Sequence, residues 1–204
     1  TENLYLLEQD DIDDVRKRLS INSENIAIYS GGMYPEKRLP FLIDSLDYIK
    51  LKVPDFNMIF IGSGVDASYV RNAATKYSWI HYPGTKFGKE KVPYFAISKL
   101  MLMPGIVGLG ILDSFALETP LITIDIPGHG PEICYLKNNE NGVLLDSATN
   151  QQKYAEVVVE LLTNEDQRLS LVHGCKKSRN SYTIEEMVEN FTKGVLSALR
   201  AKNT

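Results

Sequence analysis

The chain has 204 residues, and its 22 basic and 26 acidic side chains give a formal net charge of −4. Apolar residues make up 44% and charged residues 24% of the chain, proportions that fit a globular domain and exclude a disordered protein. The acidic balance argues against a non-specific nucleic-acid binder. Only Cys134 and Cys175 carry thiols, which excludes a disulfide framework and a four-thiolate zinc site and fits a reducing, cytoplasmic compartment.

Short apolar runs alternate along the chain with longer segments of helical period. Six of these runs are candidate strands: Ile26–Ser30, Met58–Gly62, Trp79–Pro83, Leu100–Met103, Leu121–Asp125 and Gly142–Leu145. Because the runs are almost continuously apolar, they indicate strands buried on both faces, as in a parallel sheet. The repeated alternation predicts an α/β fold, a doubly wound six-stranded parallel sheet with helices on both faces.

The segments between the strands predict helices. Apolar spacing at Ile12, Val15 and Leu19 predicts a first helix, and a second helix follows Pro35 and ends before Pro54. Weaker patterns predict helices over Asp66–Tyr77 and Glu90–Lys99, and the strongly apolar segment Leu109–Leu117 predicts another that stops before Pro120.

Three more helices fill the last third of the chain. Thr149–Gln152 and Thr183–Glu186 match the capping box, in which the two end side chains satisfy each other's backbone amides. Asn164–Gln167 is a looser version of the same signal.

Ligands of open α/β sheets bind beyond the carboxyl ends of the strands, so the loops that follow the strands are the candidate sites. After the first strand, Gly31 and Gly32 allow the backbone to approach a ligand closely. Lys37 and Arg38 then open a helix, where the dipole disfavours cations unless an anion shares the site. The alternative is an ordinary Gly-Gly turn followed by solvated charges.

The loop after the fourth strand is rich in glycine and leads into a buried helix. Gly105, Gly108 and Gly110 leave backbone amides at the start of that helix, an arrangement suited to a diphosphate. Asp113 follows within the otherwise apolar helix, and a carboxylate there requires hydrogen bonds. Ligand hydroxyls or a neighbouring loop amide would supply them.

Two other loops carry weaker signals. Gly62–Ala67 matches the dinucleotide fingerprint, but it follows the second strand and no acidic residue ends the next strand, so a tight turn is the preferred interpretation. Ile126–Glu132 is a rigid glycine–proline loop that opens another helix. Its His129 faces either a ligand or solvent, and a lone loop histidine usually has no catalytic role.

Taken together, the loops resemble the C-terminal domain of the group 1 retaining glycosyltransferases of family 4. The resemblance covers Ile26–Leu145 and consists of GG-x-x-PEKR, GSG, HYPG, PGIVGLGILDSFALETPLIT, PGHGPE and ENGVLL in that order. It implies one Rossmann-like half of a GT-B fold. Residues 1–25 would then be an interdomain linker (Thr1–Leu7) and helix, residues 26–182 the donor-binding domain, and residues 183–204 a C-terminal helix.

The resemblance also assigns roles to residues. Lys37 matches the family lysine that contacts the donor diphosphate and is the catalytic candidate, because it would stabilise the leaving group. Gly32 stands at the family's arginine position, and Gly105 and Asp113 stand at the two positions of the E-x7-E motif. The implied substrate-binding residues are Gly31, Gly32, Arg38, Gly84, Gly105, Ile106, Val107, Gly108, Leu109 and Asp113, with no metal ligands.

The implied function is transfer of a hexosyl group, with retention, from a nucleoside-diphosphate sugar to an acceptor in glycan or cell-envelope synthesis. Such enzymes need no metal or other cofactor. Their acceptor site and membrane contacts lie mainly on an N-terminal domain, so the chain alone is expected to transfer little sugar. The departures at Gly32 and Gly105 indicate either a subfamily that uses backbone amides or an inactive partner domain. A non-hydrolysing nucleotide-sugar epimerase would share the fold and is the other enzymatic alternative.

Overall fold

A computed structural model of the chain describes residues 8–201. The interpretation of Thr1–Leu7 as a linker falls outside the described residues. Within them, six strands form one parallel sheet in the order β3-β2-β1-β4-β5-β6. The strands are β1 (Ile26–Ser30), β2 (Asn57–Ile61), β3 (Ile80–Gly84), β4 (Leu100–Leu102), β5 (Leu121–Ile124) and β6 (Gly142–Leu145). The predicted doubly wound parallel sheet is therefore confirmed.

The helices cover both faces of the sheet. They are α1 (Gln9–Leu19), α2 (Leu39–Lys52), α3 (Ala67–Lys76), α4 (Val92–Ala96), α5 (Gly110–Ala116), α6 (Gln151–Thr163), α7 (Glu165–Ser181) and α8 (Ile184–Ala201). Helix α2 packs against α3 and α6, while α1 packs against α4 and α5 against α7. All five residues of β1 are buried, which explains its almost continuous apolar sequence.

Three of the predicted helical segments differ from the structure. The segment Glu90–Lys99 contains a 3₁₀ turn, Gly88–Lys91, followed by the short helix α4. The loop after β5 leads into a 3₁₀ turn, Pro131–Tyr135, at the place where an α-helix was predicted. Likewise the β1 loop first forms the 3₁₀ turn Pro35–Lys37, so Lys37 lies before α2 and not inside it.

The caps in the last third are partly as predicted. Asn164 accepts a hydrogen bond from the amide of Gln167, and Thr183 accepts one from Glu186, both at 3.2 Å. The capping box at Thr149 is wrong, because Asn150 caps α6 by accepting from the Lys153 amide at 2.8 Å.

The two loops that follow β1 and β2 touch through their backbones. The amide of Met33 donates to the carbonyl of Ser63 at 2.8 Å. A Cβ at Gly62 would overlap the carbonyl oxygen of Gly31, and one at Gly64 would overlap the carbonyl of Met33. The glycines of the GSG motif therefore serve close packing of two loops, which supports the tight-turn interpretation.

Helix α8 contributes none of its side chains to the core of the described domain. Its apolar residues fall on one side at helical spacing and are largely exposed: Ile184, Met187, Val188, Phe191, Val195 and Leu199. The helix is joined to the domain through Tyr182, whose ring stacks on Tyr135 with the centroids 4.3 Å apart. Among residues 8–201, no helix combines the length and apolarity needed to cross a bilayer.

His81 on β3 predicts a pH dependence of stability. Its Nε2 lies 2.9 Å from Oδ1 of Asn57, and burial, together with the charge of Lys50, lowers its pKa from 6.5 to about 4. Between pH 6.5 and about 4, the unfolded chain therefore binds a proton at His81, whereas the native protein keeps this imidazole neutral. We expect the free energy of unfolding to fall as the pH decreases from 6.5 toward 4.

Urea denaturation at several pH values measures this dependence in matched variants. His81→Gln should flatten the profile across that range, whereas His173→Gln, which replaces an exposed histidine on α7, should leave it unchanged. An equal slope in both variants would contradict the assignment to His81.

Candidate functional site

A cleft of about 750 Å³ lies beyond the carboxyl ends of β1 to β4. The sheet order reverses between β1 and β4, and such switch points are where α/β sheets bind ligands. Of the predicted site residues, six line the cleft: Gly31, Gly32, Lys37, Gly108, Leu109 and Asp113. The remaining five do not line it: Arg38, Gly84, Gly105, Ile106 and Val107.

The cleft carries positive charge although the chain is acidic. Among residues 8–201, Lys37, Lys86 and Lys91 line it with a single carboxylate, that of Asp113, so these charged side chains sum to two positive charges. The arrangement raises the local potential for an anion without requiring a basic protein.

Lys37 is held at the cleft by the glycine-rich loop after β4. Its Nζ donates to the carbonyl of Ile106 at 2.5 Å, while the amide of Ile106 donates back to the carbonyl of Glu36 at 2.9 Å. We call this reciprocal pairing the loop latch. Burial lowers the pKa of Lys37 below its ordinary 10.5, and the charges of Glu36 and Glu132 partly oppose that effect.

Gly105 supports the same turn from behind. It is buried, and a Cβ at this position would overlap the carbonyl oxygen of Glu36 and the Cα and carbonyl carbon of Lys37. The place of the first acidic residue in the family motif is therefore closed to any side chain. Gly105 packs against Lys37 and does not line the cleft as a substrate-binding residue would.

Fewer backbone amides are available than the sequence suggested. The Ile106 amide is used in the loop latch, and the Val107 amide donates to Nδ1 of His129 at 2.9 Å. Within residues 8–201, the amides of Gly108, Leu109 and Gly110 make no hydrogen bond. The expected row of anion-binding amides thus shortens to these three consecutive groups.

His129 is a brace between two loops. Its Nδ1 accepts from Val107, and its Nε2 lies 2.9 Å from the carbonyl oxygen of Ile124. These contacts connect the loop after β4 to the loop after β5. The side chain lies outside the cleft lining, in line with the preferred interpretation.

Asp113 has a partner that the sequence analysis missed. Its Oδ2 lies 2.5 Å from Nζ of Lys91, and the two side chains are 30% and 19% exposed. The expected loop amide is therefore not its partner. In the described part of the chain, Oδ1 of Asp113 accepts no hydrogen bond and remains available to a ligand hydroxyl. The cluster of lysines between Lys86 and Lys91 was the only available signal for this pair.

Neither Gly32 nor Arg38 supplies the cleft with the positive charge of the family arginine. The ring of Tyr34 occupies the space that a Cβ at Gly32 would enter. Arg38 adopts a left-handed conformation with φ of 54°, and its guanidinium lies over the ring of Phe41, 4.4 Å from the centroid. The structure thus places Arg38 outside the cleft.

Gly84 ends β3 with a φ of 79°, and its carbonyl accepts from Gly62 at 3.2 Å. Its neighbours Thr85, Lys86 and Phe87 line the cleft in its place. The side chain of Phe87 is 74% exposed there and leaves a flat apolar surface open to solvent. The turn at Gly84 therefore directs the following residues over the site.

The sheet order defines a Rossmann-like domain, and its cleft carries a net positive charge. Residues 11–178 match the sequence profile of the family described as glycosyl transferases group 1. The chain therefore belongs to the group 1 glycosyltransferase family, as the sequence motifs indicated.

Known proteins agree with this assignment. An uncharacterized glycosyltransferase of Methanocaldococcus jannaschii, MJ1178, is 24% identical over 169 residues, which are 80% of this chain and 46% of that protein. Anabaena Alr3699/HepE, crystallised with UDP, superimposes with a TM-score of 0.76 at 15% identity, over 96% of this chain and 55% of its own.

A third structure is a C-terminal domain solved by itself. That domain, from the Francisella tularensis glycosyl transferase group 1 protein LpcC, has a TM-score of 0.68 at 17% identity. The match covers 86% of this chain and 92% of that domain. The chain thus spans about half the length of MJ1178 and of HepE, and nearly the whole of a single domain.

Proposed function

We propose that this chain is the donor-binding domain of a retaining glycosyltransferase and that its cleft holds the diphosphate of a nucleoside-diphosphate sugar. The observation that carries the proposal is the positive cleft at the switch point, lined by Lys37 and by three consecutive amides that make no hydrogen bond within residues 8–201. The HepE structures with UDP and with UDP-glucose support the class of ligand.

The chemistry follows from where charge develops. When the bond between the anomeric carbon and the phosphate oxygen breaks, the departing nucleoside diphosphate gains negative charge. Lys37 and the amides of Gly108 to Gly110 would stabilise that charge, because fixed donors in a partly enclosed site act more strongly than water does. These groups supply the positive charge for transfer without a metal, so we propose that no metal is required.

The acceptor would bind to a second domain of the whole protein. This proposal rests on the relatives, which are about twice as long as this chain, and on the exposed apolar side of α8. We propose that the second domain covers that side of α8 and that the chain alone transfers little hexose. Glycan or cell-envelope synthesis in the cytoplasm is the biological setting that we propose.

A second candidate is a domain that binds no donor and serves as an inactive partner in a glycosylation complex. The closed position at Gly105 favours it, because the first acidic residue of the family motif cannot be present in this backbone conformation. The two candidates differ in nucleotide binding.

Isothermal titration of the 204-residue chain with UDP, GDP and UDP-glucose separates them. We expect one diphosphate site that saturates at submillimolar concentration, is unaffected by EDTA and binds uridine or guanosine far more weakly. Absence of binding to all three ligands at millimolar concentration would reject the donor site and favour the inactive partner. A single binding nucleotide would also identify the base.

A further inference from the structure

We propose that Lys91 is the second cation of the diphosphate site and that Asp113 holds it in place. The inference rests on the proposed donor-binding function and assigns a second binding residue within that cleft. Its starting observation is the contact of 2.5 Å between Nζ of Lys91 and Oδ2 of Asp113 in the cleft lining.

Lys37 and Lys91 are held in the same manner. An ammonium group has three N–H donors. Lys37 gives one to the carbonyl of Ile106, and Lys91 gives one to Asp113. Within residues 8–201, neither ammonium group makes another hydrogen bond. Each lysine therefore keeps two donors for a ligand while one contact fixes the position of its charge.

Fixing the charge in advance favours ligand binding. A free lysine side chain loses rotamer entropy when it is immobilised by a ligand, and the Asp113 contact has already restricted that freedom in Lys91. The side chain of Lys91 is only 19% exposed, so solvent screens its ammonium less than it would screen a surface lysine. Lys86 also lines the cleft but has no ion pair in the described residues.

Asp113 serves two purposes in this arrangement. One carboxylate oxygen anchors Lys91, and the other accepts no bond in the described part of the chain. Because the three cleft lysines outnumber the single carboxylate, the pair leaves the cleft positive. The free oxygen can accept a hydrogen bond from a neutral hydroxyl while Lys91 faces the phosphates.

The opposite role for Lys91 would be to mask Asp113 and keep it from the ligand. The two roles differ in the double variant Lys91→Gln with Asp113→Asn, which leaves the net charge of the cleft unchanged. If Lys91 contacts the diphosphate, the double variant binds pyrophosphate weakly. If Lys91 only masks Asp113, it binds pyrophosphate as the unmodified chain does.

The test is isothermal titration of UDP and inorganic pyrophosphate into Lys91→Gln. We expect about tenfold weaker binding of both ligands, because a charge-assisted hydrogen bond to the phosphates is lost. Lys89→Gln is the matched control, since it removes the same charge from the same 3₁₀ turn outside the cleft lining, and its affinity should not change. Lys91→Arg should restore most of the binding.

A double variant, Lys91→Gln with Asp113→Asn, tests whether misfolding explains the loss of binding, because it leaves no unpaired carboxylate at the site of this ion pair. It should fold as judged by circular dichroism and bind both ligands as weakly as Lys91→Gln does. Unchanged or tighter binding by Lys91→Gln, while the unmodified chain binds UDP, would overturn the role of Lys91 alone. Failure of the unmodified chain to bind any nucleoside diphosphate would overturn the donor site as well.

Discussion

Replacing Gly105 by alanine is expected to lower the free energy of unfolding by about 3 kcal/mol, the cost of forcing atoms into packed backbone. The added Cβ would overlap the carbonyl of Glu36 and the Cα of Lys37, and backbone atoms cannot rotate away as a side chain does. The turn that carries Lys37 would have to move. We therefore expect weaker UDP binding together with the loss of stability.

Gly108→Ala is the matched control for this prediction. Gly108 lies in the same loop, and a Cβ there meets no atom within 4 Å. Its stability should change by no more than about 0.5 kcal/mol. Urea denaturation and titration with UDP measure both quantities, and equal stability of the two variants would contradict the packing argument. Gly105→Glu should be still less stable, so the family carboxylate cannot be restored by one substitution.

Lys37→Gln is expected to weaken binding of UDP about 30-fold. Hydrogen bonds to charged groups contribute about 1.5–3 kcal/mol, and this side chain is partly buried against the carbonyl of Ile106. Arg38→Gln removes a neighbouring positive charge that stacks on Phe41 outside the cleft, so its affinity should stay within about twofold of the unmodified chain. Equal losses in the two variants would indicate only a general effect of charge.

The pH dependence of binding gives an independent check on Lys37. Burial lowers the pKa of its ammonium, so the positive charge is lost at a pH below the ordinary 10.5 of lysine. Affinity for UDP should therefore fall as the pH rises toward 10.5, and the fall should be smaller in Lys37→Gln. An identical pH profile for the variant would remove Lys37 from the site.

The parallel sheet was predictable because each buried strand appears in the sequence as a short, almost uninterrupted apolar run. Ile26–Ser30 and Gly142–Leu145 are recovered to the residue, and the other four strands differ only at their ends. The caps were less certain, since Thr149 and Asn150 both favour helix starts and the sequence does not show which side chain reaches the Lys153 amide. The domain boundaries inferred from the resemblance stay predictions.

The details of the site depended on contacts between distant segments. Lys91 and Asp113 are 22 residues apart and meet only because the fold brings the Gly88–Lys91 turn against α5. The glycine-rich sequence also suggested that the amides of the loop after β4 were available to an anion. The folded chain uses two of them internally, one for Glu36 and one for His129.

The loop latch has a consequence for the kinetics of recognition. Because Ile106 and the Pro35–Lys37 turn hold each other by two hydrogen bonds, the loops after β1 and β4 form one wall before any ligand arrives. A site assembled in advance needs no slow closing step, and little ordering entropy is lost on binding. We therefore expect association with a nucleotide to follow a single exponential whose rate rises linearly with ligand concentration.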